Sequence, residues 1–220
     1  MKRPLLRDIR GAMNIIRLWI ILLAPLVLCP TVSTAADFGP ARRLAESEIL
    51  RGSFVEERAV KGLSRPVRSE GRFVVAPGYG VIWAVQKPLP VTFVFNDSGM
   101  VQTVGNIPVL QQTAAKNPFL ARVTGLLSAA LGGNWKMLET EFDIKKSGPG
   151  KNWRVKITQK PGGNSKMPFR AITASGKTYV ERAEVLRNDG LSDTYVFAAH
   201  SITPGPPAGA EAALLSLSPQ

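Results

Sequence analysis

From Val67 the chain alternates cleanly. Val67, Ser69, Gly71, Phe73 and Val75 fall on one side, and Arg68, Glu70 and Arg72 on the other. A period of two is the signature of a strand with one face buried and one face in water. Gly78-Tyr79-Gly80 predicts a turn, and residues 81–86 resume as a strand centred on Trp83. Lys87-Pro88 breaks that strand. Residues 89–96 (LPVTFVFN) predict a third, with Val91, Phe93 and Phe95 in register, before Asp97-Ser98-Gly99 turns the chain into Met100–Val104. Upstream, residues 53–60 read as extended. Strands joined by such short turns pair antiparallel.

Helical periods interrupt this pattern twice. Pro40 to Arg51 (PARRLAESEILR) predicts a helix, with Pro40 at its start, Leu44, Ile49 and Leu50 near one face, and Gly52 as its stop. Pro118 to Leu131 carries Phe119, Val123, Leu126, Leu127, Ala130 and Leu131 at helical spacing, capped by Gly132-Gly133. A short helical turn is expected within 134–140. Strands return at 142–146, 153–157, 168–174, 178–187 and 193–201, with turns at 148–150, 161–163, 175–176 and 188–190. From Thr203 the chain is rich in Pro, Gly and Ala and predicts a flexible tail over 204–220. An antiparallel sheet must cover one face, and the helices are the available cover. The expected class is therefore α+β: a curved antiparallel sheet, or incomplete β-barrel, covered by helices that enclose an apolar cavity.

The first 36 residues have their own pattern. Lys2, Arg3, Arg7, Arg10 and Arg17 precede an apolar run, Leu18 to Leu28, and Ser33-Thr34-Ala35-Ala36 follows with small side chains. This reads as a secretory signal peptide cleaved after Ala35 or Ala36, with Met1 or Met13 as the start. The run is short for a membrane span, which needs about 20 residues. An uncleaved anchor and lipidation of Cys29 are the alternatives, but lipidation wants a small side chain where Leu28 stands. Without residues 1–36 the only cysteine is lost, and 23 basic and 15 acidic residues leave a net charge of +8. The remainder is expected to be one domain, residues 37–203, held by its core without disulfides. Its basic residues are scattered, with no dense run, so nucleic acid is not the expected partner. A solvated surface is the plain reading, and attraction to an anionic membrane or an acidic docking patch is the sharper one.

Candidate chemistry is sparse. His200 is the single histidine, with Ser201 beside it and Asp193 upstream, but no nucleophile-elbow motif accompanies them. No cluster of metal-ligating residues appears, and neither metal nor cofactor is expected. Ser175-Gly176-Lys177-Thr178 imitates the end of a phosphate loop but has Ala171 where a glycine is required. Glu56 and Glu57 are adjacent on a strand and so point to opposite faces. The expectation is a non-enzymatic protein. What remains is an excess of aromatic and aliphatic side chains on the first meander, which would make either a core or the wall of an apolar cavity.

The order and spacing of these residues resemble the periplasmic outer-membrane lipoprotein carrier (LolA-like) family. The resemblance lies in Phe54 to Arg58, Gly71-Arg72-Phe73, Ala76-Pro77, Trp83 and Pro88, with the later helix and strands, and covers most of residues 40–200. It implies a periplasmic carrier that binds lipid acyl chains and shuttles lipoproteins from the inner to the outer membrane. Its cargo would be a lipoprotein or another acylated lipid. Its partners would be an inner-membrane ABC-type release complex and an outer-membrane receptor, and a monomer is expected. The cavity candidates are Phe54, Phe73, Val75, Trp83, Phe93, Phe95, Phe119 and Leu127, with Ala76 and Pro77 at the lid hairpin. The sequence departs from the family at Ala76, where carriers have an Arg that helps hold the lid shut, so this resembles a divergent member. The alternatives are a lipid- or lipoprotein-sensing module, similar to the regulator of sigma-E signalling, a carrier for another acyl or polyene lipid, and a hydrolase using Ser201 or His200.

Overall fold

The computed structural model describes residues 42–105, 107–148, 152–160 and 167–219. The expected signal peptide, with Cys29 and both candidate start sites, lies outside the described residues, as do parts of the turns expected at 148–150 and 161–163. The first meander is β1 (Glu48–Arg58), β2 (Val67–Ala76), β3 (Gly80–Lys87), β4 (Val91–Asn96), β5 (Gly99–Val104) and β6 (Ile107–Thr113). Then come α1 (Pro118–Leu131) and the single turn α2 (Trp135–Leu138). The second meander is β7 (Phe142–Ser147), β8 (Trp153–Gln159), β9 (Phe169–Gly176), β10 (Val180–Arg187) and β11 (Ser192–Pro204), and α3 (Gly209–Leu215) closes the order.

All eleven strands form one antiparallel sheet, β6-β5-β4-β3-β2-β1-β11-β10-β9-β8-β7. The two meanders join where β1 pairs with β11, so first and last strands sit at the centre and β6 and β7 are the unpaired edges. The sheet is curved and does not close. At the β1–β11 seam the register slips between Arg51 and Ser53, and Ala199 adopts φ 52° there. Such a bulge bends the strand and raises its local twist.

Two Gly-x-Phe segments explain the centre of the sheet. Gly52 pairs with Phe73 and Phe54 pairs with Gly71 across β1 and β2. Each ring lies over the opposing glycine. A Cβ on Gly52 would meet the Phe73 ring at 2.5 Å, and one on Gly71 would meet the Ala84 carbonyl oxygen at 2.2 Å and the Phe54 ring at 2.6 Å. Trp83 then stacks on Phe54 at 3.9 Å between centroids. The main core is built around this stack on the concave face, from Leu50, Phe54, Phe73 and Val75 across to Trp153, Ile157 and Phe197, with Leu126, Ala129 and Leu131 of α1.

Two expectations are corrected, and one strand is added. Glu48 to Arg51, predicted as the end of a helix, are the start of β1. Ile49 and Leu50 are both buried, but on opposite faces: Leu50 joins the concave-face core and Ile49 a second cluster with Val74, Ala76, Ile82, Val94 and Leu215. Adjacent apolar residues here mark a strand covered on both sides, not a helix face. The tail expected to be flexible over 204–220 contains α3, whose Leu215 joins that second cluster. Arg51 Nε donates to Glu211 Oε1 at 2.7 Å, and buried Asn96 Nδ2 donates to the carbonyls of Leu215 and Leu217 at 3.1 and 2.8 Å. The segment Glu211-Ala212-Ala213-Leu214-Leu215 is made of strong helix formers, and it docks because β2–β4 present an apolar outer face. Finally, β6 adds an edge strand the pattern did not predict, with Pro108 on it, a residue tolerated at edges. No described helix is long and apolar enough to cross a membrane.

Candidate functional site

Between α1 and the concave face of the sheet lies an open concavity of about 610 Å³. Each wall follows from strand parity. On β3, Trp83 and Val85 face it, while Ile82 and Ala84 face α3. On β4 the inward set is Val91, Phe93 and Phe95, and Val94 faces out. The second meander contributes Ile157, Ile172, Ala174, Ala183 and Val185, and β11 adds Tyr195 and Phe197. From the helices come Leu126, Leu127, Ala130, Leu131 and Trp135. The concavity reaches the end of the sheet at Val67, Pro88 and Leu89.

The polar lining is concentrated on β1 and its neighbours. Glu56 and Arg58 continue the inward parity of Phe54, with Ser69 alongside, and Gln102 stands farther out on β5. Glu56 is buried. Its Oε1 accepts from Arg58 Nη2 at 2.6 Å and from the Tyr195 hydroxyl at 3.0 Å. Buried Asp193 accepts from Arg187 Nη1 at 3.1 Å and lies 3.9 Å from Arg58 Nε, and Arg187 Nη2 also donates to the Ala59 carbonyl at 2.7 Å. These contacts pair the charges and fasten β1, β10 and β11 at one end. Burial pushes the Asp193 carboxyl up, against the pull of Arg187. Burial, and then the Glu56 carboxylate, push the Tyr195 phenol up, so it stays a neutral donor. Burial alone would lower the Arg58 guanidinium, but the hydrogen bond and charge of Glu56 outweigh it, and the net shift is upward. The Trp135 indole N–H is buried without an acceptor among the described residues.

Four of the residues singled out from sequence, Trp83, Phe93, Phe95 and Leu127, line the concavity. Phe54, Phe73 and Val75 lie beneath its wall in the close-packed core, and half-buried Phe119 packs against that core. Ala76 sits on the opposite face, buried in the cluster under α3, and half-buried Pro77 opens the β2–β3 turn. The position where an Arg latch was sought is therefore on the convex side of the sheet. Pattern reading noted Glu56 and Arg58 but did not assign them, or Tyr195, to the site. Their signal is parity: Glu56 and Arg58 are two and four residues after Phe54, and Tyr195 is two before Phe197. His200 stacks on Tyr179 at 4.8 Å, and burial holds its pKa below the ordinary histidine value. Asp193 lies seven residues away along β11, about 23 Å in an extended strand, and is engaged by Arg187. The Ser-His-Asp constellation is thus not assembled.

A family model described as outer membrane lipoprotein carrier protein LolA-like matches residues 32–185. No curated protein matches the chain. Among solved structures, the MucA/MucB complex of Pseudomonas aeruginosa aligns at 14% identity and a TM-score of 0.41, over 76% of this chain and 57% of that one. This chain thus spans little more than half of that relative. A LolA superfamily protein from Nitrosomonas europaea aligns at 6% identity and 0.37, over 79% and 91% of the two chains. A DUF1329 family protein from Desulfovibrio piger aligns at 7% identity and 0.38, over 77% and 90%. All three TM-scores are low, and membership rests on the family-model match alone.

Proposed function

We propose that this chain, a member of the outer membrane lipoprotein carrier protein LolA-like family and a divergent one, is a periplasmic carrier that holds lipid acyl chains under α1. The observation that carries this reading is the apolar concavity. A volume of about 610 Å³ falls in the usual range of small-ligand sites, roughly 300–1,000 Å³. With about 30 Å³ for a water-sized group, it accepts about 20 methylene-sized groups, the bulk of one long acyl chain. Each methylene taken out of water contributes about 0.8 kcal/mol, so a partly filled, open site gives enough affinity for capture while still allowing release. The cargo would be a lipoprotein or another acylated lipid, received from an inner-membrane ABC-type release complex and passed to an outer-membrane receptor.

The reading is tested with a fluorescent acyl probe. Purified protein should take up the probe, and Trp83→Ala and Phe93→Asp should each weaken uptake, the second more strongly because it places a carboxylate on the apolar wall. No probe uptake by the folded wild type would sink the reading. Uptake without transfer of acylated protein to outer-membrane vesicles would instead favour a sensing module on the same fold.

A further inference from the structure

The antiparallel order sends the β1–β2 loop, the β3–β4 loop and the β5–β6 turn to the same end of the sheet, the end that the concavity reaches. That rim is unusual. Most of the large exposed hydrophobic side chains of the described residues belong to it: Val60 and Leu63 on the first loop, Val67 where that loop enters β2, Leu89 on the second, Val104 and Ile107 at the third. Leu89 and Ile107 are 74% and 70% exposed. At the opposite end, among the described residues, Tyr79 on the β2–β3 turn is comparably bare at 50%. The rim segments 59–66, 88–90 and 104–107 contain no acidic residue, and Lys61 and Arg65 make no ion pair among the described residues. Arg68 and Lys87 add two more cations there, sharing Glu70.

We propose that this rim docks the protein on an anionic lipid bilayer, with the mouth of the concavity facing the membrane. The proposal rests on the acyl-carrier reading for its purpose but not for its test. The arrangement fits a fluid surface better than a protein face. Its aliphatic side chains stand on separate loop tips rather than forming one flat patch, and cations lie between them, whereas protein interfaces favour aromatic anchors and are depleted in lysine. Aliphatic tips can enter the headgroup region while lysine and arginine stay at the level of the phosphates. A net charge of +8 outside residues 1–36 draws the molecule toward anionic lipid, and Val67 and Leu89, which belong to both rim and cavity lining, make a continuous apolar path for an acyl chain.

The experiment is vesicle co-sedimentation of the purified protein with phosphatidylcholine alone or mixed with phosphatidylglycerol, run beside acyl-probe uptake in vesicle-free buffer. Binding is expected only with the anionic mixture and should fall with added salt. Lys61→Glu/Arg65→Glu should weaken it at least about tenfold, and Leu63→Ser should weaken it without changing its salt dependence. Neither variant touches the cavity lining, so probe uptake should be unchanged. Equal binding to both vesicles, indifference to the charge reversal, or no sedimentation overturns the proposal. So does a rim variant that alters self-association without altering vesicle binding, which would make the rim an interface between copies. Probe uptake without vesicle binding leaves the carrier reading standing and removes this one, and vesicle binding without probe uptake does the reverse.

Discussion

Ala130→Phe separates a cavity from a core. Ala130 is half-buried on α1, and its methyl lines the concavity that Trp83 and Phe93 line from the sheet. If that space is open, the added ring enters it with little strain. A change in stability below about 1 kcal/mol is then expected, against about 1–3 kcal/mol for overpacking a filled interior. If the same space holds an acyl chain, the ring displaces about four methylenes, a loss of about 3 kcal/mol at 0.8 kcal/mol each. That is about a 100-fold rise in Kd for a long-chain ligand. A shorter chain, which leaves the occupied end of the cavity empty anyway, should lose much less, so the variant should shift the chain-length preference downward. The assay is displacement of a fluorescent acyl probe by a series of saturated fatty acids, with a denaturant titration on the same sample. Unchanged affinity across the whole series in a stable variant would refute the placement of cargo beside α1. Large destabilisation would show that the space is part of the packed core.

Gly71→Ala should destabilise by about 2 kcal/mol or more, because its methyl would meet the Ala84 carbonyl oxygen at 2.2 Å as well as the Phe54 ring. A chemical-denaturation midpoint close to that of the wild type would contradict the Gly–Phe pairing. The lowered pKa of His200, caused mainly by burial, means that the unfolded chain takes up its proton at higher pH than the folded one. Stability from this group is present above its ordinary value of about 6.5 and lost as pH falls through the folded value. His200→Gln should therefore show a smaller drop in Tm between about pH 7.5 and pH 5 than the wild type, and an equal drop in both proteins would rule out His200 as the source.

The strands were legible where one face is wet and one is dry. Clean alternation from Val67 to Val75, and turns such as Asp97-Ser98-Gly99, placed β2 to β5 closely, and the period of α1 gave its span. What failed was the assumption that every strand has a solvated face. Ile49-Leu50, with Leu44 upstream, has the spacing of a helix only if one apolar face is sought. β1 has two, because Ile49 packs on the other face of the sheet in a cluster with Leu215 of α3. The same cause hid the tail. Nothing in residues 204–220 announces a docking site, since the site is made of Val74, Ile82 and Val94, which become an outer patch only after β2, β3 and β4 pair.

That covered convex face changes the meaning of Ala76. An arginine on the concave side could reach across to a helical cover, but Ala76 has the other parity and is buried in the cluster that Leu215 joins. A long charged side chain there would have to displace α3 rather than hold α1. Charge at the concave face is supplied instead by Arg58, which Glu56 and Asp193 flank at the end where the cavity reaches the rim. The apolar wall, the paired charges and the exposed loop tips thus lie in sequence along one direction of the strands. A bound chain would pass from Phe95 and Phe197 toward Val67 and Leu89. Its polar end would then lie beside Arg58, and its exit would lie at the rim and not beneath the β2–β3 hairpin.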